Sequence, residues 1–168
     1  MTLTIREERP ADRAAIFDLV NRAFGQDAEA RLVDKLRDGG HVQLSLVAES
    51  DGKIVGHILY SDLQIVAPSG ATPALALAPM AVIPERQSQG IGSALIRRSL
   101  TLCREHGHKI VIVLGHKHYY PRFGFSPELA TPLESPYAGD SFMALELVPG
   151  ALAGVQGKVE YAAPFNEL

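Results

Sequence analysis

The nine residues Gln87-Ser88-Gln89-Gly90-Ile91-Gly92-Ser93-Ala94-Leu95 constrain this chain more than any other stretch. They stand between an apolar run, Ala74 to Val82, suited to a buried strand, and the run Ala94 to Leu100, which reads as a helix. A strand that turns through glycines into a helix leaves the first helical N–H groups without carbonyl partners. The helix dipole adds partial positive charge at the same place. Glycines at 90 and 92 remove Cβ atoms that would hold an anion at a distance. The turn is therefore expected to take an anion, phosphate or pyrophosphate.

Spacing sorts the phosphate loops. The dinucleotide pattern G-x-G-x-x-G needs a small residue at position 95, where Leu95 stands, and no Gly-Lys-Ser/Thr triplet follows these glycines. What remains is Gln87-x-x-Gly90-x-Gly92. A chain of 168 residues fills one core and is short for two, so one domain over residues 1–168 is expected. The net charge of −3 gives no reason to expect a nucleic-acid partner. Cys103 is the sole cysteine, which excludes an internal disulfide and cysteine-rich zinc motifs; it is read as a small apolar filler. No signal-peptide core and no run near the ~20 apolar residues of a membrane span is found, so a cytoplasmic protein without membrane contact is expected.

Along the chain, Leu3 and Ile5 alternate with polar neighbours as in a half-buried strand. Pro10 opens a helix whose Ile16, Leu19, Val20, Ala23 and Phe24 share a face, and a second helix is expected from about Asp27 to Arg37. The charges of that helix read as a solvated face, with Glu29 able to face a substrate cleft. Strands at 44–49 and 54–60 flank the hairpin turn Ser50-Asp51-Gly52-Lys53, and Gly56 signals a bulge or a close backbone approach. His57 reads as a packed or hydrogen-bonded imidazole. A turn over 68–73 leads into the 74–82 strand. After the loop, the helix runs to about His106, and Lys109 to Leu114 is an unbroken apolar strand, parallel to 74–82. Residues 126–140 read as an irregular loop, and strands at 142–147 and 157–161 are expected to pair with each other across Pro149-Gly150.

The loop Gln87-Ser88-Gln89-Gly90-Ile91-Gly92 resembles the coenzyme A pyrophosphate loop of the GNAT superfamily of N-acetyltransferases. Tyr120-x-x-x-Gly124-Phe125 resembles the tyrosine and Gly-Phe pair that follow the fifth strand in that family. Ile83 to Gln87, His118-Tyr119-Tyr120 and Leu147 to Leu152 are similar to a branch of small bacterial members. The resemblance implies an α/β (α+β) fold with a mixed, mostly antiparallel sheet of about six or seven strands, flanked by helices, with strands four and five splayed. It implies acetyl-CoA as co-substrate and no metal; the pair His116-x-His118 lacks a third ligand at helpful spacing.

By the same resemblance, backbone at Met80, Ala81 and Val82 would hold the pantetheine arm, with one N–H aimed at the thioester oxygen. N–H groups of Gln87, Ser88, Gln89, Gly90, Ile91, Gly92 and Ser93 would hold the pyrophosphate, with Arg86 adding charge. The reaction implied is direct attack of an amine, from a small molecule or a peptide, on the thioester. Tyr120 matches the family's usual general acid, with packing against Phe123 and Phe125 as its structural alternative, and Tyr119 is expected to point elsewhere. The base stays open among Glu29, Asp62, Glu85, His116, His118 and a water chain. Leu114-Gly115-His116-Lys117-His118 departs from the family pattern, lacking its asparagine and its alanine-rich helix. A non-catalytic acyl-CoA-binding sensor and a protein for another phosphate ligand are the competing readings. A homodimer through edge strands is compatible with the architecture.

Overall fold

Alternating side chains and one long glycine-turned crossover account for the architecture of a computed structural model, which describes residues 2–168. β1 (Leu3–Glu7) leads through a 3-10 turn at Pro10–Asp12 into α1 (Arg13–Phe24) and α2 (Ala28–Asp38). β2 (Val42–Ser50), β3 (Lys53–Ala67) and β4 (Gly70–Val82) form an antiparallel meander. α3 (Ile91–Glu105) then carries the chain to β5 (Ile110–Leu114), which lies parallel to β4. β6 (Leu133–Glu134), β7 (Phe142–Glu146) and β8 (Gly157–Tyr161) complete the sheet, whose main order is β1-β2-β3-β4-β5-β7.

Four expectations need correcting. The second meander turn is only Pro68-Ser69, because β3 and β4 extend to Ala67 and from Gly70. The 126–140 segment contains the short strand β6. β8 does not pair with β7; it lies antiparallel to the far half of β3, Leu63 facing Tyr161 and Val66 facing Lys158. The reason is length: β2 leaves β3 at Ser61, and the remaining edge would stand open without a second partner. Phe24, placed on the apolar face of the first helix, is 41% exposed at that helix's end.

α3 packs on one face of the sheet through Leu95, Ile96 and Cys103, all fully buried. Gly56 lets it come close: a Cβ there would sit 3.0 Å from Leu95 Cδ1 and 3.1 Å from Ile91 Cγ2. Burial pushes the Cys103 thiol up to about 12, which suits the inert filler read from sequence. On the opposite face, Ile16, Leu19 and Leu36 of α1 and α2 cover Val47, Leu59 and Ala81.

Beneath α2 lies a polar knot. His57 is wholly buried, with Nε2 2.8 Å from Ser45 Oγ and 3.8 Å from Glu8 Oε1. Arg37 Nε donates to Glu8 Oε2 at 2.8 Å, and Ser45 also donates to Glu8. Burial alone would raise the Glu8 carboxyl, but His57, Arg37 and Ser45 together hold it down at about 2. Among the described residues, no helix is long and apolar enough to cross a membrane.

Candidate active site

The loop after β4 leaves its donors free. After a 3-10 turn at Pro84–Arg86, the chain enters α3 through Gly90, at φ +85°, a left-handed conformation that side-chain-bearing residues resist. The first helical bond is donated by the Ala94 N–H to the Gly90 carbonyl, at 3.0 Å, and among the described residues no backbone carbonyl takes up the N–H groups of residues 88–93. Residues 87–90 are exposed, at the positive end of a 15-residue helix. Gln87 Nε2 donates to the Val82 carbonyl at 3.1 Å, tying the loop to β4. Arg86 lies along the flank, its Nε donating to Gln89 Oε1 at 3.1 Å.

The two glycines have different reasons. A Cβ at Gly90 would meet nothing within 4 Å, so only its backbone conformation demands glycine. At Gly92 a Cβ would lie 3.2 Å from Tyr119 Oη and 3.3 Å from Met80 Cε. Gly92 therefore makes room for protein side chains, where its sequence position had suggested room for an anion. Tyr119 packs edge-on against Tyr120, at 5.3 Å between centroids, and its hydroxyl reaches the loop, with Oη 3.0 Å from Ser93 Oγ. Spacing alone did not reveal this contact; the adjacent pair of tyrosines was the only hint.

Beside the loop, β4 and β5 part. They pair only at Leu75–Val111 and Ala76–Ile112. From Leu77 to Val82, β4 has β3 on one side and no β5 partner on the other. A register shift between Ile58 and Tyr60 of β3 places Ala78 and Pro79 in a bulge at the point of parting. A cleft of about 530 Å³ opens there. Its inner half is walled by Leu77, Pro79, Met80, Gly115, His116 and Tyr120. Its outer half is walled by Phe24, Glu29 and Leu32 from the first two helices, and by Tyr137, Tyr161 and Phe165.

Tyr120 is fixed within this cleft. Gly115 makes its place, since a Cβ there would fall 2.4 Å from Tyr120 Cε2. Phe125 meets the ring edge-on at 5.7 Å between centroids. Of the two aromatics expected to pack on it, Phe125 does so, whereas Phe123 meets Tyr119 edge-on at 5.3 Å. Burial, with a smaller contribution from Tyr119, pushes the phenol up to about 12, so it stays protonated at neutral pH.

The candidate bases separate by position. Glu29 and His116 line the cleft, whereas His118 faces a neighbouring groove. Asp62 does not line the cleft and is 3.1 Å from His41 Nδ1; Glu85, also outside it, pairs with Arg22. No group of three or more metal-ligating side chains occurs among the described residues.

Three comparisons bear on the assignment. Residues 4–127 match the family described as Acetyltransferase (GNAT) domain. The uncharacterized N-acetyltransferase YhbS of Escherichia coli K12 is 35% identical over 167 residues, covering 98% of this chain and 99% of that protein. Its crystal structure in complex with CoA superposes with a TM-score of 0.90, covering 98% of this chain and 92% of that one. A GNAT family acetyltransferase from Brucella melitensis, crystallised with acetyl-CoA, is 36% identical with a TM-score of 0.81, covering 98% of each chain. With the family model spanning most of the chain and these relatives spanning nearly all of it, the chain belongs to the GNAT family of acetyltransferases.

Proposed function

We propose that the protein transfers an acetyl group from acetyl-CoA to the amino group of a small molecule or peptide by direct attack, with both substrates bound at once. The carrying observation is the cleft where β4 and β5 part, lined by the unpartnered β4 backbone at Leu77 to Met80 and by Tyr120, with the open donor row of residues 88–93 following at the end of the same strand. The CoA and acetyl-CoA in the crystals of the two relatives support the same reading.

In this reading, the N–H groups of residues 88–93 bind the pyrophosphate, and the free edge at Met80 and Ala81 bonds the amides of the pantetheine arm. Val82 contributes less, because its carbonyl already accepts from Gln87. The acceptor reaches the cleft as an ammonium and gives one proton to Glu29 or to water. Its lone pair then attacks the thioester carbon; a C–N bond forms and the C–S bond breaks. An N–H donor of β4 stabilises the carbonyl oxygen as it gains charge. Tyr120 gives its proton to the departing thiolate and recovers one as the new amide nitrogen loses its second proton. The products are the N-acetylated amine, coenzyme A and one released proton.

The test is titration calorimetry with acetyl-CoA, together with free-thiol release in the presence of an amine panel, for the wild type and Tyr120→Phe. The variant is expected to bind acetyl-CoA unchanged and to lose about 10²-fold or more in kcat. Equal kcat removes Tyr120 as the acid. Acetyl-CoA binding with no transfer to any amine would instead mark a non-catalytic acyl-CoA-binding protein.

A further inference from the structure

The outer half of the cleft has a chemistry of its own. Tyr137 meets Tyr161 edge-on at 6.1 Å between centroids, and Tyr161 meets Phe165 at 5.2 Å with planes tilted by 45°. Phe24 and Leu32 line the same cleft. Phe24 and Tyr137, both lining it, keep 41% and 49% of their surface exposed, so a ligand there has apolar area to cover.

One acidic side chain stands among the lining residues. Glu29 is the sole Asp, Glu, Lys or Arg lining the cleft among the described residues. The other carboxylates of α2 and its approach are neutralised by arginines: Asp27 by Arg31 at 2.8 Å, Asp34 by Arg37 at 2.9 Å, Asp38 by Arg13 at 2.9 Å. Glu29 has no cation; only the Gln26 amide donates to it, at 3.0 and 3.2 Å. Among the described residues, the cleft thus presents one acidic side chain without a cationic partner beside an apolar wall, and no Lys or Arg side chain with which to receive an anion.

Resting on the transfer reading above, we propose that the acceptor is a small primary amine bearing an apolar, preferably aromatic, substituent and no carboxylate: an arylalkylamine. Its ammonium pairs with Glu29 while its ring packs on Tyr161 and Phe165. An α-amino acid would bury its carboxylate without a partner and near Glu29. A polyamine offers Glu29 more ammonium groups than it can pair and has no apolar substituent to cover Phe24 and Leu32. A peptide N-terminus would bring amide groups for which these walls offer few partners.

The experiment compares kcat/KM for phenethylamine, phenylalanine, spermidine and the peptide Phe-Gly-Gly, with acetyl-CoA binding measured separately by calorimetry. Phenethylamine is expected to be preferred by about tenfold or more over each of the others. Glu29→Gln is expected to raise KM for phenethylamine, leave acetyl-CoA affinity unchanged, and narrow the preference over phenylalanine. A change confined to the chemical step would leave that preference fixed. Tyr161→Ala is expected to reduce the preference for phenethylamine over propylamine. Transfer to phenylalanine, spermidine or the peptide at equal or higher kcat/KM overturns the acceptor class and leaves the transfer reading intact. Acetyl-CoA binding with transfer to none of these amines overturns both.

Discussion

At the scale of single residues, Gly90 and Gly92 show how one motif can hold two unrelated requirements. Gly90→Ala places a side chain at φ +85°, which costs about 1–2 kcal/mol, and the loop is expected to relax away from its donor geometry. Acetyl-CoA affinity should fall with it. Gly92→Ala carries no such backbone penalty but presses on Tyr119 Oη at 3.2 Å. Pairing it with Tyr119→Phe removes that oxygen, so the double variant is expected to regain part of the affinity that Gly92→Ala loses. Calorimetry on the three variants checks this; no recovery in the double variant would show that position 92 acts directly on the ligand. The spacing Gln87-x-x-Gly90-x-Gly92 made the loop legible before any fold was known. The partner of the second glycine was not legible, because Tyr119 returns to Ser93 from 26 residues downstream. The sequence singles out Glu29 from the other charges of α2 as one able to face a cleft; what distinguishes it in the fold is a missing counter-ion, which is a property of the folded surface.

At the scale of elements, the contact between α3 and β3 sets where the loop stands. Gly56→Val would push side-chain atoms into Leu95 and Ile91, which already approach its missing Cβ at 3.0 and 3.1 Å. The expected cost is about 1–3 kcal/mol in urea denaturation, accompanied by weaker acetyl-CoA binding because the helix start moves. Lost stability with full affinity would argue that the loop is positioned independently of the helix body. The strands on either side of the hairpins were readable from alternation and turn composition, as at Asp51-Gly52. The partner of β8 was not readable. Local pattern does not encode that β3 outruns β2 beyond Ser61 and offers its far half to another strand. The parting of β4 and β5 was expected from family resemblance, whereas its position, just after Ala76 and Ile112, comes from the fold.

At the scale of the whole molecule, β1, β2, β3 and α2 are tied by the polar knot around Glu8 and His57. The native Glu8 carboxyl titrates near 2, below its ordinary 4.5. Its contribution is therefore full above about pH 4.5 and is lost as pH falls toward 2, on the order of 1–3 kcal/mol. Burial lowers His57 as well, so the unfolded chain takes up a proton below about pH 6.5 that the native state refuses. Both effects have the same sign: stability declines on acidification. Urea midpoints measured from about pH 7 to pH 3 should fall, and Glu8→Gln should flatten the decline below about pH 4.5. An unchanged slope in that variant would assign the acid sensitivity to other carboxylates.

The seam between β4 and β5 carries a mechanical consequence. Two residue pairs of β4 and β5 fasten the β5–β7 flank to the rest of the sheet, and beyond them the frame has a notch. An extended arm bonded along that notch would act as a plank laid between two joists. For as long as it stayed, the acyl donor would be timber as well as cargo, and its departure would slacken the frame that had held it.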